Sequence, residues 1–315
     1  MAHTSCVGFR ACREDIEDVL RMQRSYKVGL ALSGGGARGL AHIGVLKVLE
    51  QERIPVDCLA GTSMGGVIAA GYAAGLSPDF MEAEAMRMGS LRRLLALADV
   101  SLPRRGLFEG QRVREYLTKH LGDRTFDDLQ VPLTLVAVDL NTGREVFLSQ
   151  GRVTDAVRAT IALPGVFTPV ERNGETLVDG GLLDNLPADA VRHMGADIVI
   201  AVDVTMEEGI AFSLIEALHQ RRYIPNGLVD TIEVLYRAVG VMMAEANRRR
   251  LIEAHPEVII WPAIPPGVTT LTGFPRAAEV IAAGEQAAQE ALPCIRQVMQ
   301  EGAVHGSGSS RCSSH

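Results

Sequence analysis

Between residues 27 and 76 the chain runs twice from a short apolar segment through a glycine turn into a helix, and that order leaves few folds open. Lys27 to Ser33 (KVGLALS) reads as a buried strand. It stops abruptly at Gly34-Gly35-Gly36-Ala37-Arg38-Gly39, after which Leu40, Ile43, Leu46, Val48 and Leu49 recur at the spacing of one helical face. A second apolar run, opened by Pro55-Val56-Asp57, ends in Gly61-Thr62-Ser63-Met64-Gly65-Gly66 and leads into the small-residue helix Val67-Ile68-Ala69-Ala70-Gly71. An opening in the order β-α-β-α predicts a mostly parallel sheet covered by helices.

The rest of the chain continues in kind. Ser77-Pro78-Asp79 is a helix start with proline at the first helical position. The stretch to Ala98 is rich in Met, Leu and Arg. It reads as a packed pair of surface helices, with an amphipathic flap against lipid as the alternative. Gln111 to Leu121 is a helix stopped by Gly122. Leu133 to Leu140 is a core strand that turns through Asn141-Thr142-Gly143 into Glu145–Ser149. Val153–Ile161 is helical and is broken by Pro164-Gly165. Val170–Val178 is a hairpin turning at Asn173-Gly174. Ile198–Val204 is another core strand, and Val258–Trp261 a last one. Leu228 to about Ala254 reads as a long helix with Leu228, Ile232, Leu235, Val239 and Met242 as its stripe, and Pro275–Met299 as a terminal helix. Arg248-Arg249-Arg250 is read as a capping or solvated cluster. Residues 1–26 form an extension, 27–303 one domain, and 304–315 a Gly/Ser-rich tail.

Composition excludes several classes. A net charge of −7 argues against a nucleic-acid binder, which needs a basic face. The five cysteines are scattered, with no C-x-x-C pair, so neither a zinc site nor a disulfide framework is expected, and free thiols in a reducing cytoplasm are. Carboxylates are not spaced as a calcium loop. Charge at Arg10, Arg13, Glu14 and Asp15 speaks against a signal peptide, and no apolar run is long enough for a membrane span.

Gly61-x-Ser63-x-Gly65 between strand and helix fits a nucleophile elbow, which lifts a serine hydroxyl above the sheet. Gly34-x-Gly36-x-x-Gly39 also matches a dinucleotide fingerprint, but that use needs an acid at the end of the second strand, where Ser63 stands. The other use of such a loop is an oxyanion hole, because N–H groups at a helix N-terminus converge and carry partial positive charge. A serine nucleophile also needs a base. None of the eight histidines follows a strand in a motif-like turn. Asp179-Gly180-Gly181 does, with Asp139 and Asp203 as rivals near the ends of core strands.

Four blocks in this order resemble the patatin-like phospholipase family: Gly34–Gly39, Gly61–Gly65, Ala159-Thr160-Ile161-Ala162-Leu163-Pro164, and Asp179-Gly180-Gly181. The resemblance implies a three-layer α/β/α sandwich with a central, mainly parallel sheet. It implies Ser63 as nucleophile and Asp179 as base, in a Ser–Asp dyad that works without metal or cofactor. The block Gly34–Gly39 would supply the oxyanion hole through the N–H groups of Gly35, Gly36 and Ala37, with Arg38 as an electrostatic helper. Thr160 stands where the family usually has serine, so a hydroxyl is kept and a methyl added. The substrate implied is a phospholipid or lysophospholipid ester, met in the cytoplasm or at a membrane surface. A carboxylesterase, a thioesterase and a regulatory binding protein are the other readings.

Overall fold

The computed structural model describes residues 26–89, 106–205, 241–268 and 273–306. Its larger sheet is built on five parallel strands: β1 (Val28–Leu32), β2 (Cys58–Thr62), β4 (Leu133–Asp139), β9 (Ile198–Val202) and β10 (Val258–Ile260). They lie in the order β10-β9-β1-β2-β4. Three antiparallel strands extend the sheet at β4: β5 (Arg144–Leu148), and the hairpin β7 (Val170–Arg172) and β8 (Glu175–Asp179). That hairpin turns at Asn173 and Gly174, both with positive φ, as the Asn-Gly pair predicts. A second sheet of two short parallel strands, β3 (Gly106–Phe108) and β6 (Gly165–Phe167), was not legible in the sequence.

Strand residues alternate between two helical layers. Val28, Leu30, Leu32, Leu59, Ile200 and Val202 face a large apolar cluster under helices α1 (Ala41–Gln51), α2 (Ser63–Ala73), α3 (Pro78–Met88), α5 (Val153–Thr160) and α8 (Ala277–Gly306). The helix α4 (Gln111–Leu121) adds Leu117 and Leu121 to the same cluster. Ala31, Cys58, Ala60, Val199 and Ala201 face the other way. There they pack on α6 (Ala188–His193) and on Leu251 and Ala254 of α7, helical over 241–254. Side chains on this second face are small, so the short helix α6 comes close: a Cβ on Gly29 would fall 2.9 Å from that of Val191. The result is the three-layer α/β/α sandwich with a mainly parallel sheet.

Several expectations shift in register. Ser77 caps α3, its hydroxyl accepting from Phe80 N at 3.2 Å, and Met81 and Ala85 are buried. That part of the Met-rich stretch is packed, while 90–98 lie outside the described residues. In α7 the inward residue is Met243, whereas Met242 is 71% exposed. The stripe read from Leu228 onward therefore ends one residue out of phase, and its members before 241 lie outside the described residues. α8 runs on to Gly306, into the stretch assigned to the tail. Among the described residues no helix is long and apolar enough to cross a membrane.

α1 and α8 cross at a pair of glycines. A Cβ on Gly44 would lie 2.0 Å from the carbonyl oxygen of Ile281, and one on Gly284 would lie 1.9 Å from that of Ala41. The helices therefore touch backbone to backbone. Gly284→Ala should destabilise the protein by about 1–3 kcal/mol, because overpacking outweighs the roughly 1 kcal/mol that alanine gains in a helix. Urea unfolding would measure it, and an unchanged midpoint would show that the crossing yields freely.

Candidate active site

The site forms where two strands meet head-on along one edge of β4. β2 runs parallel to β4 and ends with Thr62 opposite Val136, while β8 runs antiparallel and ends with Asp179 opposite Ala137. β5 pairs with Leu135 through Asp139 on the other edge, so β2 and β8 share this one. Their carboxyl ends point at each other across adjacent residues of β4. That places Ser63, next after Thr62, against Asp179.

Ser63 opens α2 with φ of +53°, one of four non-glycine residues with positive φ among the described residues. A side chain in this region is strained and persists only when its surroundings enforce it. The enforcement is visible. Gly65 lies so close to β1 that a Cβ there would fall 2.3 Å from the Leu32 carbonyl oxygen, and one on Gly61 would meet the carbonyl of Gly65 at 2.7 Å. The Ser63 N–H donates to Thr160 Oγ1 at 2.9 Å, and Thr160 Oγ1 donates to the Val136 carbonyl at 2.5 Å. The extra methyl of Thr160 rests against Gly66, where a Cβ would come within 3.0 Å.

The Ser63 hydroxyl donates to Asp179 Oδ2 at 2.7 Å, and Gly181 N–H donates to Asp179 Oδ1 at 2.9 Å. Among the described residues Asp179 is the one hydrogen-bond partner of that hydroxyl. Burial pushes the Asp179 carboxyl up to about 6, and the hydrogen bonds from Ser63 and Gly181 restrain the rise. Its two rivals serve their own loops. Asp139 accepts from the N–H groups of Asn141, Thr142 and Thr176 and from the Thr142 hydroxyl, which holds it below the usual carboxylate range. Asp203 caps Thr205 N–H and its hydroxyl. A Cβ on Gly180 would strike the Val136 carbonyl oxygen at 2.4 Å, so the Asp-Gly-Gly turn lies flat on β4.

The glycine loop borders the serine on its other side. β1 and β2 are adjacent, pairing Ala31 with Ala60 and Leu32 with Gly61. A Cβ on Gly34 would lie 3.1 Å from that of Ser63, and one on Gly39 would lie 2.5 Å from Met64 Cγ. A 3₁₀ turn, Gly36–Leu40, leads straight into α1, so the helical N-terminus is at the loop itself. The N–H groups of Gly35, Gly36 and Ala37 take no acceptor among the described residues, as befits a helix start. Arg38 is buried, which lowers its pKa, and its Nε donates to the Val268 carbonyl at 3.3 Å. That bond anchors Arg38 to the segment around Val268. His42 is fully buried, shares a 2.8 Å hydrogen bond with the Ser33 carbonyl, and is pushed down to about 4 by burial.

Two residues that the sequence did not nominate complete the surroundings. Gly34 N–H donates to the Asn185 carbonyl at 3.0 Å, and Asn185 Nδ2 donates back to the Gly34 carbonyl at 3.3 Å. Arg250, read as solvated, instead pairs with Glu145 and Asp189 and stands 3.7 Å from the buried Asp184. Arg248 and Arg249 do stay exposed, both paired with Glu245.

A serine on a strand–helix turn, hydrogen-bonded to a buried acid and flanked by unengaged N–H groups, has the parts from which serine acyl hydrolases are made. The sequence model of the patatin-like phospholipases matches residues 30–192, just over half of the chain, and the protein belongs to that family. It is 37% identical over 234 residues to an uncharacterized NTE family protein of Mycobacterium tuberculosis, covering 74% of this chain and 62% of that one. It is 39% identical over 181 residues to lysophospholipase nte1 of Aspergillus fumigatus, covering 56% of this chain and 12% of that one. The chain thus spans less than two thirds of these curated relatives. VipD from Legionella pneumophila is similar in structure with a TM-score of 0.45 and 14% identity, over 87% of this chain and 67% of that one.

The Thr160 hydroxyl both donates and accepts, so its removal leaves a buried carbonyl and a half-buried N–H unmet. Thr160→Val should cost about 1–3 kcal/mol in chemical denaturation, whereas Thr160→Ser, which keeps both bonds, should cost about 1 kcal/mol or less. A larger loss in Thr160→Ser than in Thr160→Val would mean that the methyl, not the hydroxyl, matters.

Proposed function

We propose that this protein is a serine acyl hydrolase that cleaves carboxylic ester bonds of phospholipids or lysophospholipids through an acyl-enzyme on Ser63. The 2.7 Å hydrogen bond from the Ser63 hydroxyl to Asp179 carries the reading. Membership of the patatin-like phospholipase family and the likeness to a lysophospholipase support the lipid class. Residues 27–303 act as one domain in this reading.

Ser63 Oγ attacks the ester carbonyl carbon while its proton passes to Asp179 Oδ2. The oxygen that becomes negative accepts hydrogen bonds from the N–H groups of Gly35, Gly36 and Ala37, each worth roughly 3–4 kcal/mol in such a role. Collapse breaks the bond to the alkoxy oxygen, which leaves as the alcohol with the proton from Asp179. Water, deprotonated by the same carboxylate, then attacks the acyl carbon, and the fatty acid departs as Ser63 recovers its proton. Burial equips Asp179 for this: an acid near its usual pKa of about 3.9 would be a weak base.

Ser63→Ala and Asp179→Asn should each lower hydrolysis by roughly 10³-fold or more, and Ser63→Ala should abolish labelling by a fluorophosphonate. A lipid-class panel run with wild type and both variants measures this, and activity retained in either variant refutes the dyad. Because the carboxylate is the working form, kcat/KM should rise with pH through about 6 and level off above it. A profile taken from pH 4.5 to 8 that is flat across that interval would exclude Asp179 as the base.

A further inference from the structure

Helix α7 reaches the site through one face that is half polar. Met243, Asn247, Arg250, Leu251 and Ala254 follow at helical spacing. Met243 is buried with its methyl 3.4 Å from where a Cβ on Gly181 would stand. One turn on, Asn247 Oδ1 accepts a hydrogen bond from the N–H of Asn185 at 2.8 Å. Another turn on, Arg250 faces Asp184 and pairs with Glu145 and Asp189.

Residues 184 and 185 are a junction of the three parts of the site. The Asp184 N–H donates to the Gly180 carbonyl at 2.9 Å, in the turn that follows Asp179. The Asp184 carbonyl accepts from the hydroxyl of Thr62, the residue before Ser63, at 2.9 Å. Asn185 grips Gly34 by two reciprocal bonds, and Gly34 leads directly to the N–H groups of Gly35, Gly36 and Ala37. The peptide joining 184 and 185 therefore sets the height of the glycine loop relative to Ser63. Its own N–H is buried, and Asn247 is the acceptor that holds it.

We propose that Asn247 is a positioning residue for the glycine loop, acting through Asn185 on the donors that meet the developing oxyanion. Without that acceptor the N–H of the buried Asn185 is left unmet, and its peptide tilts to recover a partner. Gly34 follows, and displacement of preorganised donors by a fraction of an ångström weakens transition-state binding while leaving substrate binding alone. The consequence falls on kcat.

This inference rests on the acyl-hydrolase reading, so the test carries Ser63→Ala as a control. With a short-chain nitrophenyl ester, Asn247→Leu should lower kcat about tenfold with KM changed less than twofold, and slow fluorophosphonate labelling in parallel. The pH midpoint should stay near 6, because Asp179 keeps both its partners. Asn247→Asp retains an oxygen acceptor and should restore kcat to within about twofold. Wild-type kcat in Asn247→Leu, or equal loss in Asn247→Asp, would overturn the positioning role. Hydrolysis surviving in Ser63→Ala would instead strike the acyl-hydrolase reading.

Discussion

One hydroxyl closes the sheet and seats the serine at the same time. Where β2 and β8 abut along β4, neither strand extends far enough to satisfy the backbone between them, and an unmet buried carbonyl costs about 1–3 kcal/mol. Thr160, delivered by the end of α5, donates to the Val136 carbonyl and accepts from the Ser63 N–H. A hydroxyl suits this because it is donor and acceptor at one atom. The positive φ of Ser63, the flat Asp-Gly-Gly turn and the approach of Asp179 all presuppose that filled gap.

Environment, not residue type, separates the aspartates at the strand ends. Asp139 is wrapped by four donors that favour its charged form, and is held low. Asp179 has a single backbone donor and the serine hydroxyl, its carboxyl is buried, and it is held high. No cation stands beside it among the hydrogen bonds and ion pairs of the described residues. The same burial that makes the group basic opposes its ionisation, so the folded state carries a cost that appears as pH rises from about 4 through 6.

Much of this was legible in the sequence because it is local. A continuous apolar run such as Lys27–Ser33, a glycine turn and a helical stripe each announce themselves within a dozen residues. The Asn173-Gly174 hairpin is likewise local. What stayed hidden depends on partners far away. Nothing near Thr160 says that its hydroxyl will meet Val136 and Ser63. The face of α7 that matters is half polar, with Asn247 and Arg250 turned inward beside Met243, so an apolar stripe placed Met242 there instead. Arg250 looked solvated because its partners, Glu145 and Asp189, lie 105 and 61 positions away. β3 and β6 are three residues each, too short to leave a period.

The glycine crossing of α1 with α8 has a consequence for the order in which the protein is made. α1 carries the glycine loop at its start, yet its closest packing partner is encoded 240 positions later, between Gly44 and Gly284. During synthesis the loop and the serine emerge early, but the helix that should brace them is still to come. Contacts of such sequence separation form late, and an incomplete core leaves apolar surface open. A growing chain therefore holds Ser63 before it holds the frame that aims it, so the activity proposed above should arrive only when α8 docks.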